Sequence, residues 1–414
     1  MDHSKDLNFL TLHPFVTSTV QDKVFGTIFG SALGDTIGLY TELLPATVAA
    51  SVYPNRNFTL QPPTPYRAES HRDKFDQAAW TDDTDHSLLI LLSYLHNKGE
   101  IIPNDFAARL AIWTIGTVVR KPNFPKAPFE EALASWLKTG RSNAANGSLM
   151  RTHPLGIMCI GFTREQTFRT AAEMSRITHV DPRCVVSCCI QTSLVRDGVI
   201  EQSFEWVFTK DELRNPGLEQ GLDELVLNGL LDVEEFHRHV YARNFKELEL
   251  DDSRKMGYVY KCLGSAILSL RLAMREKYSR ASTFGRLITD LVMEGGDADN
   301  NATAAGALLG AWLGYARLPN DWARGIKHRV WLIKKTGKLI RVVGILEPQN
   351  GRDNEEDSDT GLYGGKVPMT DEEVNAMERD LLMKIMEKEK IRREQEGHMA
   401  QEKKGIRQWI KSGS

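Results

Sequence analysis

Two pairs of aspartates, more than two hundred residues apart in the chain, are the side chains best suited to chemistry. Asp82 and Asp83 lie in the sequence Trp-Thr-Asp-Asp-Thr, and Asp297 and Asp299 lie in Gly-Gly-Asp-Ala-Asp-Asn-Asn. Each pair opens an apolar helical segment, where a single carboxylate is usually a cap that accepts hydrogen bonds from the first turn. Two pairs brought into contact would repel each other unless divalent cations lay between them. The sequence therefore predicts a site of oxygen ligands for magnesium-type ions.

Other oxygen-bearing side chains could complete this site. Thr81 adds a hydroxyl, a hard ligand, directly before the first pair. Asp35 and Glu42 are seven residues apart, so both would lie on one face of a helix that continued that far, and we expect one or both to point into the site. As an isolated pair, a buried hydrogen-bonded aspartate and a surface glutamate would be the more ordinary interpretation.

A turn of Asn146, Gly147 and Ser148 could hold a phosphate through its backbone N–H groups, although Asn-Gly is also an ordinary turn dipeptide. His179 follows a helical pattern, where a histidine is more often a core or capping residue than a catalyst. No Cys or His pair has zinc-ligand spacing, and a serine or cysteine nucleophile would lack both its strand-turn-helix elbow and a supported base. Metal chemistry on the aspartates remains the best-supported hypothesis.

The elements that must position these residues have the periodicity of helices. One helix is predicted over residues 22–50 and another over 301–316, and both carry glycines at every fourth position: Gly26, Gly30, Gly34 and Gly38 in the first, and Gly306, Gly310 and Gly314 in the second. Glycine lowers helix propensity but leaves one face without side chains, so each helix can approach a neighbouring backbone closely. A membrane interpretation of this spacing is disfavoured, because Asp35 interrupts the first segment and the second is too short.

Helical patterns also prevail between these two segments, and strand-like alternation is scarce, so the predicted fold class is all-α. The polar, proline-bearing residues 54–78 are long enough to form a functional lid at the edge of the site. An acidic stretch, residues 199–254, is interpreted as an insertion on the core without chemistry of its own, with helical patterns around Phe204, Leu225 and Phe236.

The chain is then divided into an N-terminal segment (1–20), a main domain (21–320) and a C-terminal extension (321–414). In the extension, Thr370 opens a charged helix with an apolar stripe formed by Val374, Met377, Leu381 and Ile385. A solvated helix is the plainer interpretation of its charges, and the alternative is a surface for a protein partner or a coiled coil.

Composition limits the classes of partner and location. The 414 residues have a net charge of −3 and a pI near 6.4, which offers no basic field for nucleic acid and favours a small molecule or modified side chain as the ligand. The sequence has no apolar signal region or membrane-length segment, so we expect an intracellular, cytoplasmic protein, with a nuclear location as the alternative. The five cysteines lack metal-ligand spacing and are odd in number, which favours reduced core residues.

Taken together and in order, the segments 26–42, 80–84, 146–154, 177–179 and 295–310 resemble the ADP-ribosylglycohydrolase family, which includes dinitrogenase-reductase-activating glycohydrolase and some crystallins. The resemblance covers roughly residues 20–320. It implies a compact multi-helix domain with two Mg²⁺ ions in a central cleft. It also implies release of ADP-ribose from a modified protein side chain or a related conjugate.

The resemblance also implies roles for individual residues. The implied metal ligands are Thr81, Asp82, Asp83, Asp297, Asp299 and Asn300, with Asp83 and Asp299 essential for catalysis. Glu42 matches a glutamate that acts as acid/base or gate. The substrate pocket would be lined by Asp35, Asn146, Gly147, Ser148 and His179.

This sequence departs from the family pattern in its last cluster, which typically reads Gly-Asp-Thr-Asp-Thr. Ala298 and Asn300 replace both threonines, so binding of the second Mg²⁺ is expected to be weaker, although the Asn300 carbonyl is still an acceptable ligand. Asp85 and His86 are more polar than the residues common at their positions and could add a ligand or alter substrate choice. Three hypotheses follow: an active ADP-ribosyl hydrolase, a silent ADP-ribose-binding or structural relative, and a hydrolase for another small substrate.

Overall fold

The computed structural model describes residues 7–115, 128–196, 205–210, 213, 229–276, 282–347, 357–364 and scattered positions between 372 and 386. In these ranges the chain is helical, and sheet-like pairing is limited to isolated bridges, which confirms the all-α prediction. The α-helices, numbered here in chain order, are α1 (Pro14–Gly38), α2 (Ala46–Val52), α3 (Asp82–His96), α4 (Pro103–Ile115), α5 (Pro128–Lys138), α6 (His153–Met158), α7 (Arg164–Arg176), α8 (Pro182–Arg196), α9 (Val233–Val240), α10 (Val259–Arg275), α11 (Thr283–Val292), α12 (Ala298–Leu313), α13 (Asn320–Gly325) and α14 (Arg329–Val343). Short 3-10 helices lie at Asn8–Thr11, Arg72–Lys74, Asn146–Ser148, Gly229–Leu231, Phe245–Leu248, Tyr315–Arg317 and Ser358–Thr360.

The two glycine-bearing helices, α1 and α12, pack antiparallel against each other along their glycine faces. Gly30 faces the carbonyl of Gly306, and Gly34 faces the carbonyl of Ala302, so closely that a β-carbon at either position would collide with the facing backbone. At one end of this glycine seam, Gly38 lies against the backbone of Asp299. The seam therefore brings the end of α1 to the start of α12, where the second aspartate pair lies.

The bounds of α1 differ from the predicted helix over 22–50. The helix begins at Pro14, whose missing N–H is not needed in a first turn, and the His13 side chain accepts a hydrogen bond from the N–H of Phe15. It ends at Gly38, and the chain then forms a turn in which Leu43 takes a left-handed φ of 59° before α2 begins after Pro45. Glu42 consequently lies on a turn, and the prediction that it shares a helical face with Asp35 is wrong.

Residues 54–78, the predicted lid, contain one short 3-10 helix and pack on aromatic side chains. The ring of Tyr40 in the turn after α1 lies 5.0 Å from that of Phe58 and 4.8 Å from that of Tyr66, measured between centroids. Arg72 is buried and donates hydrogen bonds to the carbonyl oxygens of Leu39, at 2.8 Å, and of Glu42. The loop is thus fastened to the turn that carries Glu42, and its role as a lid stays a prediction.

The described part of the 199–254 stretch supplies core residues. Helix α9 packs on α10 and buries Phe236 and Val240 completely. Residues 229–254 thus contribute side chains to the core, and the interpretation of 199–254 as an insertion stays a prediction. Phe204 and Leu225 fall outside the described residues.

The helical core also continues past residue 320. Helix α14 packs against α1 and buries Leu339 and Ile340. It also carries the fully buried Lys335, whose ammonium group pairs with Asp357 at 2.6 Å and with Asp359. Thr370 and the apolar stripe of the predicted charged helix lie outside the described residues.

Two predictions about the chain as a whole can be compared with the structure. All five cysteines are buried, which confirms their interpretation as core residues. None of the described helices combines the length and the apolar character needed to cross a bilayer.

Candidate functional site

A buried carboxylate from α1 holds the N-terminus of α3. Thr81 is the N-cap of α3, and its backbone N–H and that of Thr84 each donate a hydrogen bond of 3.0 Å to Asp35. The Thr84 hydroxyl donates a third bond, of 2.5 Å, to the same carboxylate, which is completely buried. Asp35 therefore fixes the first turn of α3 against α1, and its oxygen atoms face the helix end more than an open pocket.

Three buried acids from three helices converge at this point. Carboxylate oxygens of Asp35 on α1, Asp83 on α3 and Asp299 on α12 lie within 4.8 Å of one another. The Thr81 hydroxyl lies between the last two, 3.2 Å from Oδ2 of Asp83 and 3.4 Å from Oδ2 of Asp299. Since α3 and α12 both begin here, the positive ends of their helix dipoles face the carboxylates.

A second group of acids shares Asp299 with the first. Oxygens of Glu42, Asp297 and Asp299 also lie within 4.8 Å of one another. The turn carrying Glu42 is held there by backbone pairing with Gly296, which has a φ of 67° and exchanges hydrogen bonds of 2.6 and 2.9 Å with the N–H of Leu43 and the carbonyl of Leu44. A side chain at position 296 would be strained and would collide with Leu250, so this approach depends on glycine.

The crowding of these acids changes their protonation equilibria. Burial raises the pKa of Asp35 to about 7. Burial and then the neighbouring carboxylates raise the pKa values of Asp83 and Asp299 well above their usual range. Burial also raises the pKa values of Asp297 and Glu42. These acids therefore resist full ionisation as long as no counter-charge is present, and a cation bound there would lower their pKa values again.

The donor set fits a hard divalent cation. Among the described residues, no lysine or arginine forms an ion pair with Asp35, Asp83, Asp297 or Asp299. Oδ1 of Asp83 and Oδ1 of Asn300 are buried without a hydrogen-bond partner in the described structure, which is a costly arrangement for a polar atom that has no ligand. Carboxylate, hydroxyl and amide oxygens are the ligands that Mg²⁺ and Ca²⁺ prefer.

Two of the predicted metal ligands are placed differently from the others. Asp82 is exposed on the first turn of α3 and belongs to neither group of converging acids, so it lies at the rim. Asn300 lies inside, but its side-chain nitrogen points to the acids, 3.3 Å from Oδ2 of Asp83 and 3.0 Å from Oδ1 of Asp297. In this orientation the amide nitrogen, and not the carbonyl oxygen, contacts the carboxylates.

The Asn146–Ser148 turn is attached to the acids through one hydrogen bond. The Asn146 amide donates to Oδ2 of Asp297 at 2.7 Å. Gly147 lies against the half-buried ring of His179, where a β-carbon would be 3.3 Å from Nε2. The Ser148 hydroxyl points into the protein and accepts a hydrogen bond of 3.1 Å from Ser175. Its predicted contact with substrate would therefore have to come from its backbone.

Several residues at the site were not identified from the sequence. His71 of the loop lies 2.6 Å from the Glu42 carboxylate, measured from Nε2 to Oε2, and a polar loop just before the first acids was the only signal for it. Asp85, considered as an extra ligand, instead accepts hydrogen bonds from the indoles of Trp80 (2.9 Å) and Trp113 (3.0 Å), which occupy both its oxygens. The His86 ring lies edge-on to Trp113 with both nitrogens lacking a described partner.

A polar groove adjoins this site. It has a volume of about 410 Å³, and its lining includes Gly257, at which a β-carbon would lie 3.4 Å from Oδ2 of Asp297. Three cationic side chains (Arg183, Arg254 and Lys255) and one acid (Glu235) line it, and Arg183 is already paired with Asp181 at 2.7 Å. The groove therefore offers room and two cationic side chains, Arg254 and Lys255, near the cluster of acids.

Comparisons with known proteins agree with this architecture. The chain is 26% identical over 329 residues to an uncharacterized protein of Archaeoglobus fulgidus, covering 78% of this chain and 97% of that protein. It is 26% identical over 317 residues to ADP-ribosylarginine hydrolase Tri1 of Serratia proteamaculans (73% and 74% covered). It is 23% identical over 340 residues to ADP-ribosyl-[dinitrogen reductase] glycohydrolase of Rhodospirillum rubrum (79% and 98% covered).

One solved structure, described as an ADP-ribosylglycohydrolase-related protein complex, superposes with a TM-score of 0.50 at 22% identity over 79% of this chain and 99% of that one, a likeness of fold. The family model described as ADP-ribosylglycohydrolase matches residues 16–349, a range that includes the whole 199–254 stretch and α14. This match spans most of the sequence and confirms the resemblance inferred from its motifs. The chain therefore belongs to the ADP-ribosylglycohydrolase family.

Proposed function

We propose that this protein is a Mg²⁺-dependent hydrolase that cleaves the glycosidic bond between ADP-ribose and a protein side chain or a related conjugate. The observation that carries the proposal is the convergence of buried acids from α1, α3 and α12 beside a polar, cation-lined groove. The two named relatives, one an ADP-ribosylarginine hydrolase and one an ADP-ribosyl-[dinitrogen reductase] glycohydrolase, support the substrate class.

The residues that would hold two Mg²⁺ ions are Thr81, Asp83, Asp297, Asp299 and Asn300, with Asp82 joining from the rim. Bound ions would supply the positive charge that orients the ribose hydroxyls and activates water. Asn300 can present its unpartnered carbonyl oxygen after rotation of its amide, because the two ends of an amide have nearly the same shape. Asp35 supports the ligands from behind by fixing the start of α3.

Glu42 is the proton carrier in this proposal. Cleavage at the anomeric carbon passes through an oxocarbenium-like state and needs a water that loses a proton and a leaving group that gains one. The Glu42 carboxylate lies among the acids of the second group, and burial raises its pKa, which suits it to accept and then return a proton. His71 contacts the same carboxylate and orients it.

The remainder of the substrate fits the neighbouring turn and groove. The backbone of Asn146, Gly147 and Ser148, with His179, would contact the ribose and the phosphates. Arg254 and Lys255, both exposed along the groove, would attract the diphosphate from solution. Asn146 links this part of the site to the metal ligands, since its amide is bonded to Asp297.

A catalytically silent ADP-ribose-binding or structural protein is the second candidate. The observation that favours it is Asn300, whose amide nitrogen contacts the acids where the family pattern has threonine.

Release of ADP-ribose from modified arginine and serine peptides, with Mg²⁺ and with EDTA, tests these candidates. We expect Mg²⁺-dependent release by the natural protein and none by Asp299→Asn, which keeps the shape of a buried ligand but removes its charge. Asp290→Asn, an exposed aspartate on α11, is the matched control and should retain activity. Tight ADP-ribose binding without turnover would select the silent relative. The absence of both ADP-ribose binding and turnover would contradict the proposal.

A further inference from the structure

We propose that Thr178, supported by the buried Arg151, fixes His179 as a neutral ring protonated on Nε2, so that this ring donates a hydrogen bond to a substrate oxygen. The identity of the ligand, the ADP-ribose moiety, rests on the function proposed above. The protonation of the ring is a property of the protein alone and can be tested without catalysis.

Arg151 is the first link in this arrangement. Its side chain is buried, its guanidinium lies 5.0 Å from the centroid of the Phe106 ring, and among the described residues no carboxylate forms an ion pair with it. One of its terminal nitrogens lies 2.7 Å from the hydroxyl oxygen of Thr178. A guanidinium has only donors, so the Thr178 oxygen must accept this bond.

The second link joins Thr178 to the ring. The hydroxyl oxygen of Thr178 lies 2.7 Å from Nδ1 of His179. In the described part of the chain, Nδ1 is the one acceptor within hydrogen-bond distance of that hydroxyl. A proton on Nδ1 would make the hydroxyl accept from two donors, Arg151 and the ring, and the proton of this exposed hydroxyl would then bond only to water. The hydroxyl therefore donates to Nδ1, and the neutral ring carries its proton on Nε2.

The surroundings of His179 keep the ring neutral. Burial, followed by the positive charge of Arg151 and the neighbouring His86, lowers the pKa of His179 to about 3. Nε2 lies beside Gly147, at the turn proposed to contact the ribose and phosphates. An N–H group presented there favours a ligand atom that only accepts hydrogen bonds, such as a phosphate oxygen, over one that donates.

Nitrogen NMR of protein labelled with ¹⁵N-histidine tests the tautomer directly. We expect the His179 signals, identified by their loss in His179→Gln, to show an unprotonated Nδ1 and a protonated Nε2 at neutral pH. A protonated Nδ1 in the natural protein would overturn the proposal.

Thr178→Val and Thr178→Ser test the role of the hydroxyl. Valine has nearly the shape of threonine but cannot donate, so we expect the two tautomers of His179 to mix and the Kd for free ADP-ribose to rise about ten-fold. In turnover, KM should rise more than kcat falls, because only binding of the ligand oxygen is weakened. Serine keeps the hydroxyl and should restore both the spectrum and the affinity.

The outcomes separate this inference from the proposed function. If Thr178→Val changed neither the nitrogen spectrum nor ADP-ribose affinity, the inference would fail while hydrolysis could still be observed. If the natural protein showed the expected spectrum, lost it in Thr178→Val and neither bound nor released ADP-ribose, the proposed function would fail and the tautomer assignment would hold.

Discussion

The side-chain nitrogen of Asn300 lies 3.3 Å from Oδ2 of Asp83, so an amide from α12 reaches an acid of α3 across 217 positions of sequence. The same nitrogen lies 3.0 Å from Oδ1 of Asp297. An amide N–H₂ has two donors, which allows it to satisfy one oxygen of each carboxylate. Asn300 therefore links two acids that would otherwise repel each other.

Asn300→Asp is expected to destabilise the protein when divalent ions are removed with EDTA. The change deletes both donors and adds a charge to the cluster, and we expect a loss of about 2 kcal/mol in the free energy of unfolding. Mg²⁺ should raise the Tm of this variant more than that of the natural protein, because a further carboxylate is then available as a ligand. Thermal unfolding with EDTA and with Mg²⁺ measures both effects. Asn57→Asp adds the same charge at an exposed position, and equal stability of the two variants in EDTA would argue against this role of Asn300.

The glycine seam gives a second prediction. At Gly34 a methyl group would collide with the Ala302 carbonyl, so Gly34→Ala should lower the free energy of unfolding by about 3 kcal/mol and displace Asp35 and Asp299. Gly337 in α14 has open space around its α-carbon, so Gly337→Ala should stabilise the protein by about 0.5–1 kcal/mol through helix propensity. Urea unfolding of both variants measures the two changes in the free energy of unfolding. Equal changes would rule out close packing of α1 on α12 as the reason for glycine at position 34.

A third prediction concerns acid stability. Burial lowers the pKa of His153 from 6.5 to about 3. Between these values the unfolded chain binds a proton that the folded protein does not, so stability falls as the pH falls below about 6.5. From pH 7 to pH 5 this one group should remove about 2 kcal/mol. His153→Gln, compared with the natural protein by urea unfolding at the two pH values, should show a correspondingly smaller loss. If the loss of stability between pH 7 and pH 5 were the same in His153→Gln as in the natural protein, His153 would titrate with its ordinary pKa.

The C-terminal contact to α14 gives a fourth prediction. The Lys335 side chain is 0% exposed and pairs with Asp357 and Asp359, whereas that of Lys334 is 72% exposed. Lys335→Met leaves both aspartates without their buried partner, so it should cost about 2 kcal/mol and make residues 357–364 sensitive to protease. Lys334→Met should change stability by less than about 0.5 kcal/mol. Limited proteolysis followed by mass spectrometry shows whether cleavage occurs in this segment first.

The sequence was sufficient to predict the helical fold and to select the acids that the structure brings together. Asp83 and Asp299 could be selected because each lies in the first turn of a helix, and the start of a helix is recognised from a short stretch of sequence. The glycine spacing also predicted close helix contacts, but only the structure showed that α1 and α12 are partners. A pattern of small residues identifies a face and carries no information about which neighbour it meets.

The errors concern residues whose position depends on tertiary contacts. Glu42 reaches the site from a turn that is held by pairing with Gly296, a contact invisible in the local sequence. Ser148 points inward because its hydroxyl accepts a hydrogen bond from Ser175, a residue 27 positions away. His71 had no motif of its own, and its partner, Glu42, is 29 positions away. In each case the local sequence allows several orientations, and long-range packing selects among them.

The pairing of α1 with α12 has a consequence for synthesis of the protein. A ribosome completes α1 early, but the facing surface emerges only after most of the domain has been made. Asp297 and Asp299 are therefore missing from every nascent chain that ends before Asp297, however well its first helices form. A product truncated at that point should consequently lack the site proposed to hold Mg²⁺, which can be completed only late in translation of the domain.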